Sequence, residues 1–210
     1  MDVTYDLAVV PGRAVAHTDV AHIKHVHGRT SLRVALSEDM TRYRDDDGGS
    51  VDLPTFVSLP ICFEDVALEV DVWSRLYEGA SPAAAPLAGL AYRVSNRDRR
   101  SRQAEVRPLN GPRHKPPTAW TRRAAQFVTY QQWPFDSLQP PTPSTGSAPG
   151  LDQWTRVSVQ IDGTRLVALV DGDVSLVIPV NRAAAPRGDI GLFVDVGTEA
   201  YFSNLRVTPS

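Results

Sequence analysis

Alternation of apolar and polar residues is the dominant pattern in this chain. Between Phe63 and Trp73, Val66, Leu68, Val70 and Val72 alternate with Ala67, Glu69, Asp71 and Trp73. Successive side chains of a strand point to opposite faces, so this run predicts a strand with one apolar face and one mixed face. The same period recurs in Thr30–Leu36, Leu87–Val94 reads as a further strand, and another ends in Glu105–Gly111. Trp154–Val170 reads as a hairpin with Val157, Val159 and Ile161 inward and Asp162-Gly163 at the turn, Asp-Gly being a strong short hairpin signal. Asp171-Gly172 closes its second strand, and Val174–Val180 adds another. Val3–Val10, closed by Pro11-Gly12, opens the chain as a strand.

Near the C-terminus, Gly188 and Gly197 bracket an apolar run, and Ser203–Val207 alternates again. The pattern predicts two strands joined at Gly197-Thr198-Glu199, the last of which must pair inside a sheet built earlier. Asp45–Ser50, Gly79–Pro86 and Gln139–Gly150 carry the loop signals. No segment sustains a helical period. Roughly a dozen short strands with regular turn signals predict an all-β, two-sheet antiparallel sandwich of the jelly-roll kind, occupying residues 1–210 as one domain.

Composition narrows the partners. The 210 residues carry a formal net charge of −2, which gives no electrostatic footprint for nucleic acid or an anionic membrane. The one basic run, Arg97–Arg102, fits a solvated hairpin tip. The single cysteine, Cys62, lies between Ile61 and Phe63 and is expected to be a small buried hydrophobe. The N-terminus lacks the positive region of a signal peptide, and no apolar stretch approaches the roughly 18 residues of a membrane span, so a cytoplasmic location is expected. Asp47-Gly48-Gly49-Ser50 lacks the lysine and following helix of a phosphate-binding loop, and no G-x-S-x-G elbow occurs, so no cofactor is expected.

Several segments carry a family pattern: Gly28–Val34 (GRTSLRV), Leu68–Val72 (LEVDV), Gly89–Val94 (GLAYRV), Glu105 with Arg107–Gly111 (RPLNG), Arg122–Phe127 (RRAAQF), Trp133–Phe135, and the ending Gly188–Val207. Together they resemble bacterial concanavalin A-like (LamG-type) β-sandwich domains over about Gly28–Val207. The resemblance implies a lectin- or glucanase-like scaffold with a concave ligand-binding face.

On such a face the candidate catalytic acids are Glu69, Asp71 and Glu105, the last brought from a neighbouring strand. The candidate substrate-binding residues are Trp73, Tyr92, Arg93, Arg107, Asn110, Gln126, Tyr130 and Trp133. Acids, guanidinium groups and aromatic platforms suit sugar rings and their hydroxyls. The alternative for Glu69–Arg93 and Glu105–Arg107 is a cross-strand ion pair that only solvates a sheet. Retaining glycosidases of this scaffold carry E-x-D-x-x-E and place two carboxyls about 5–5.5 Å apart. Here the motif stops at Glu69-Val70-Asp71-Val72-Trp73-Ser74, without the final acid.

His22, His25 and His27 form H-x-x-H-x-H, but strand parity lets at most two reach one ion, so no metal site is assigned. His114, in a proline-rich loop, has the pKa range of a proton carrier. Three functions follow: acid/base hydrolysis of a glycoside or related small molecule, an intracellular natural-product cyclase in the same cleft, or a non-catalytic carbohydrate-binding module. Each takes a sugar or small-molecule ligand, and a homodimer is compatible with all three.

Overall fold

A computed structural model describes residues 2–5, 7, 13–14, 18–37, 55–76, 78, 88–95, 100–106, 125–130, 151–179, 187–194 and 197–209. They form fourteen strands: β1 (Val3–Tyr5), β2 (Arg13–Ala14), β3 (Thr18–Val26), β4 (Arg29–Leu36), β5 (Thr55–Phe63), β6 (Val66–Leu76), β7 (Ala88–Ser95), β8 (Arg100–Val106), β9 (Ala125–Tyr130), β10 (Thr155–Asp162), β11 (Arg165–Val170), β12 (Asp173–Pro179), β13 (Gly188–Val194) and β14 (Thr198–Pro209). Every pairing is antiparallel. One sheet has eight strands, in the order β12-β11-β10-β6-β14-β4-β3 with β1 also on β14. The other has six, in the order β2-β5-β13-β7-β8-β9. The all-β, two-sheet antiparallel sandwich is therefore the fold.

Alternation builds the core between the sheets. Val66, Leu68, Val70 and Val72 of β6 join Val157, Val159 and Ile161 of β10 and Phe202, Leu205 and Val207 of β14. Val57, Leu59, Leu90, Tyr92, Ile190 and Leu192 meet them from the six-stranded sheet. The long C-terminal strand β14 lies in mid-sheet, pairing with β6 along one side and with β4 and then β1 along the other. Its predecessor β13 belongs to the opposite sheet. The chain thus crosses between layers from Val194 to Thr198, Gly197 is the last residue before β14, and Thr198 and Glu199 already belong to β14 rather than to a turn.

Two further expectations are corrected. Cys62 is exposed. Val57, Leu59 and Ile61 take the inward positions of β5, so Cys62 shares the outward parity of the exposed Pro60. Of the strand expected over Val3–Val10, Val3–Tyr5 is described as strand and Leu7 stands in a turn, the other positions lying outside the described residues. The six-stranded sheet carries a second apolar cluster, Phe56, Ala91, Val94 and Phe193, whose parity turns it away from the main core although each member is buried.

Candidate functional site

The outer face of the eight-stranded sheet holds the chemistry that the described residues bring together. On β6 the residues opposite the core positions are Glu69, Asp71, Trp73 and Arg75. Register places Tyr201 beside Trp73, Glu199 beside Arg75, and Ser203 beside Asp71. From the other side β10 sets Arg156 against Asp71 and Ser158 against Glu69.

Asp71 is only 3% exposed, and its carboxylate is enclosed by donors. Arg29 Nη1 donates to Oδ2 at 2.5 Å, Asn204 Nδ2 to the same oxygen at 2.8 Å, and Arg156 Nε to Oδ1 at 3.0 Å. Burial pushes the Asp71 carboxyl up, but the bonds from Arg156 and Asn204 and the charges of Arg156 and Arg29 outweigh it and hold it below the usual carboxylate range. The same pairing raises the Arg156 guanidinium. Asn204 reaches Asp71 because β14 bulges there: its φ is 54°, and the register with β6 shifts between Ser203 and Arg206. Ser203 anchors the bulge by donating to the Thr30 carbonyl at 2.7 Å.

One step along the sheet, Glu199 makes a second cage. It accepts from Arg33, from Arg75 Nε at 2.5 Å and from the Tyr201 hydroxyl at 2.8 Å. Burial raises its carboxyl, and the bonds from Arg75, Arg33 and Tyr201 more than reverse this, so it too titrates low. Burial and the adjacent Glu199 carboxylate push the Tyr201 phenol up. Trp73 lies between the cages, its ring edge-on to Tyr201 at 5.4 Å and tilted against His27 at 4.7 Å.

Beside these cages the face opens into adjoining cavities. One of about 430 Å³ is lined by Glu69, Arg156, Ser158, Gln160, Asp171 and Arg206, among others. A smaller one, about 240 Å³, shares Arg156 and Asp171 and adds Arg29, Asp71 and Trp154. Arg29 covers the Trp154 ring, its guanidinium carbon 4.7 Å from the ring centroid. Glu69 stands on the groove wall, half-buried, with Arg156 and Arg206 each 3.7 Å from its carboxylate. That spacing is an ion pair without a direct hydrogen bond.

Of the residues expected at the site, Glu69, Asp71 and Trp73 share this face, but Asp71 and Trp73 are buried inside it. Tyr92 is a core residue, 1% exposed, because it has the inward parity of Ala88 and Leu90. Arg93 is on β7 in the six-stranded sheet, buried at a bulge with φ 52°, where Nη2 donates to the Glu64 carbonyl at 3.3 Å. Glu69 and Arg93 do not form a cross-strand ion pair, since they belong to different sheets and Glu69 faces away from the layer between them. Glu105 is likewise no neighbour of Glu69: β8 pairs with β7 and β9, where Glu105 stands opposite Gly89 and Gln126. Tyr130 ends β9. Arg107, Asn110, Trp133 and His114 lie outside the described residues.

The histidines are not arranged as a motif. His22 is on β3, His25 is exposed near its end, and His27 occupies the two-residue turn to β4. Among the described residues no three His, Cys, Asp or Glu side chains could hold a metal ion. Sequence reading missed Arg29, Arg156, Asn204, Glu199 and Arg206. Their signal was available in part: Glu199 and Tyr201 share one parity of the last strand, outside its apolar positions.

No protein-family model matches the sequence, and no characterised protein matches it significantly. Solved structures do resemble the fold. A carbohydrate binding module, CBM66, from Bacillus subtilis superposes with a TM-score of 0.59 at 12% identity, over 91% of this chain and 96% of that one. A galectin-like protein of unknown function from Bacillus subtilis gives 0.62 at 11% identity, over 98% and 94%. The Crh5 transglycosylase in complex with NAG gives 0.54 at 12% identity, over 100% and 84%. At these identities the likeness is one of fold.

Proposed function

We propose that this domain binds carbohydrate without cleaving it, along the groove on the outer face of the eight-stranded sheet. One observation carries the reading: the groove is lined by both donors and acceptors, while the buried Asp71 carboxylate beside it already accepts from three donors. Glu69, Arg156, Ser158, Gln160 and Arg206 come from three adjacent strands and offer the paired donors and acceptors that sugar hydroxyls need. Trp154 adds an aromatic edge. A general acid must carry a proton near neutral pH. Asp71 and Glu199 are held ionised by their cages, which suits scaffolding of a binding face and not proton donation. The carbohydrate binding module among the structural neighbours lends support through its fold alone.

The test is a screen of immobilised glycans, followed by calorimetry with Arg206→Ala and Gln160→Ala. Each substitution is expected to weaken binding about tenfold, with a melting temperature close to the parent's. Absence of any glycan binding, or affinity indifferent to both substitutions, overturns the reading. Glu69 favours a second reading, hydrolysis, because its carboxylate faces the groove without a direct hydrogen bond from Arg156 or Arg206. That reading requires release of reducing sugar by the parent and its loss in Glu69→Gln.

A further inference from the structure

Beyond Arg29 the groove meets an interruption in the sheet. On one side of β14, β4 pairs with Glu199–Phe202 and β1 pairs with Leu205–Val207. Ser203 and Asn204 fall between the two, at the bulge, outside both pairing registers, with the Ser203 hydroxyl reaching the Thr30 carbonyl of β4. A third cavity of about 440 Å³ sits over this gap, with Tyr5, Leu7, Gly28, Arg29, Thr30 and Asn204 in its lining. Arg29 also lines the 240 Å³ cavity beside Trp154, so the two spaces share that residue.

We infer that this gap is a further subsite, and that the ligand is an uncharged oligosaccharide of several units running across the strands on both sides of Arg29. The inference rests on the carbohydrate-binding reading and specifies the ligand's class and length. From Asp171, in the turn after β11, the line passes Arg156 on β10, Asp71 on β6 and Asn204 on β14 to the β1–β4 junction. Four inter-strand steps at about 4.8 Å make roughly 19 Å, enough for several sugar rings. The gap offers the hydroxyls of Thr4, which shares the outward parity of Arg206, and Thr30, with the amide of Asn204 for hydrogen bonds, while Tyr5 has the inward parity of Leu205 and packs its ring against the core.

Charge bookkeeping sets the class. Arg29 pairs with Asp71, Arg156 with Asp71 and Glu69, and Arg206 with Glu69. Each guanidinium along the line already faces a carboxylate. An anionic sugar would have to displace one, whereas a neutral chain uses the remaining donor positions.

Calorimetry with neutral gluco- and fructo-oligosaccharide ladders of one to six units, and with polygalacturonate as the anionic comparison, tests this. Affinity for one of the neutral ladders is expected to rise at least tenfold from two to five units. Thr4→Ala and Thr30→Ala should abolish that rise while leaving disaccharide affinity within twofold. Arg206→Ala should instead weaken every length. A plateau at the disaccharide, a rise that persists in both variants, or tighter binding of polygalacturonate overturns the inference while carbohydrate binding stands. No binding of any probe at any length removes both.

Discussion

Replacing Asp71 with asparagine removes one charge and keeps the shape. Three donors lose an ionised acceptor: Arg29 at 2.5 Å, Arg156 at 3.0 Å and Asn204 at 2.8 Å. A hydrogen bond to a charged group contributes about 1.5–3 kcal/mol each, net of water. The two guanidinium side chains are 37% and 49% exposed, so water takes back much of what they lose, and their shares belong at or below the low end of that range. The asparagine oxygen still accepts one bond, but its amide group meets a donor. The expected cost is about 3 kcal/mol, or roughly 6–12 °C in melting temperature for a domain of this size. Urea unfolding of both proteins from neutral pH into acid measures it. The sign follows from the depressed carboxyl: its stabilisation is complete above the ordinary value of 3.8 and is lost as pH falls through the lower folded-state value. The gap between parent and Asp71→Asn should therefore be widest at neutral pH and close in acid. A neutral-pH difference below about 0.5 kcal/mol, or one that does not change with pH, would show that the cage does not hold the bulge.

Tyr201→Phe deletes one hydrogen bond to Glu199 and should cost about 1 kcal/mol in urea unfolding at pH 7. Glu199→Gln should lose its destabilising effect below the ordinary carboxyl value of 4.5, since that group's stabilisation also disappears as pH falls through a depressed value. At Gly191 an added methyl would meet the Ala91 Cβ at 3.1 Å and the Phe56 Cδ2 at 3.2 Å, so Gly191→Ala should cost about 1–3 kcal/mol by overpacking, read as a drop in melting temperature. The Cys62 thiol should react with a chromogenic disulfide in the native protein as fast as in urea; a lag that only denaturant abolishes would contradict its exposure.

The fold was legible because it depends on local signals that survive in one sequence. Val66, Leu68, Val70 and Val72 reach the core as their period demands, and Val157, Val159 and Ile161 do the same across the layer. Asp171-Gly172 makes a two-residue turn with both φ angles positive, 51° and 89°, the geometry that Asp-Gly favours. Which strands share a sheet was not legible. Periodicity fixes the face of a side chain relative to its own strand and says nothing about which layer that strand joins. That ambiguity is why Glu105 and Arg93 read as neighbours of Glu69 while β7 and β8 lie in the other sheet. Cys62 failed for a related reason: Ile61 and Phe63 flank it in sequence, but flanking residues on a strand point the opposite way.

The site was hidden for a different reason, which bears on what it does. Asp71 looked like half of a catalytic pair because it stands two residues from Glu69 on one face. Whether such an acid is a proton carrier or a structural anion depends on its donors, and these come from Arg29, Arg156 and Asn204, 42, 85 and 133 residues away. Asn204 is available only because the last strand bulges, and the bulge is also what separates β4 from β1 and opens the gap beside Arg29. One irregularity thus ties the buried carboxylate to the shape of the surface above it. Removing Asn204's amide should act at both levels: Asn204→Gly keeps the positive φ that glycine tolerates but deletes the bond to Asp71. It should lower stability and, if the gap is a subsite, selectively weaken long ligands over short ones. A variant that loses stability yet keeps the full length dependence would separate the cage from the subsite and leave the cage purely architectural.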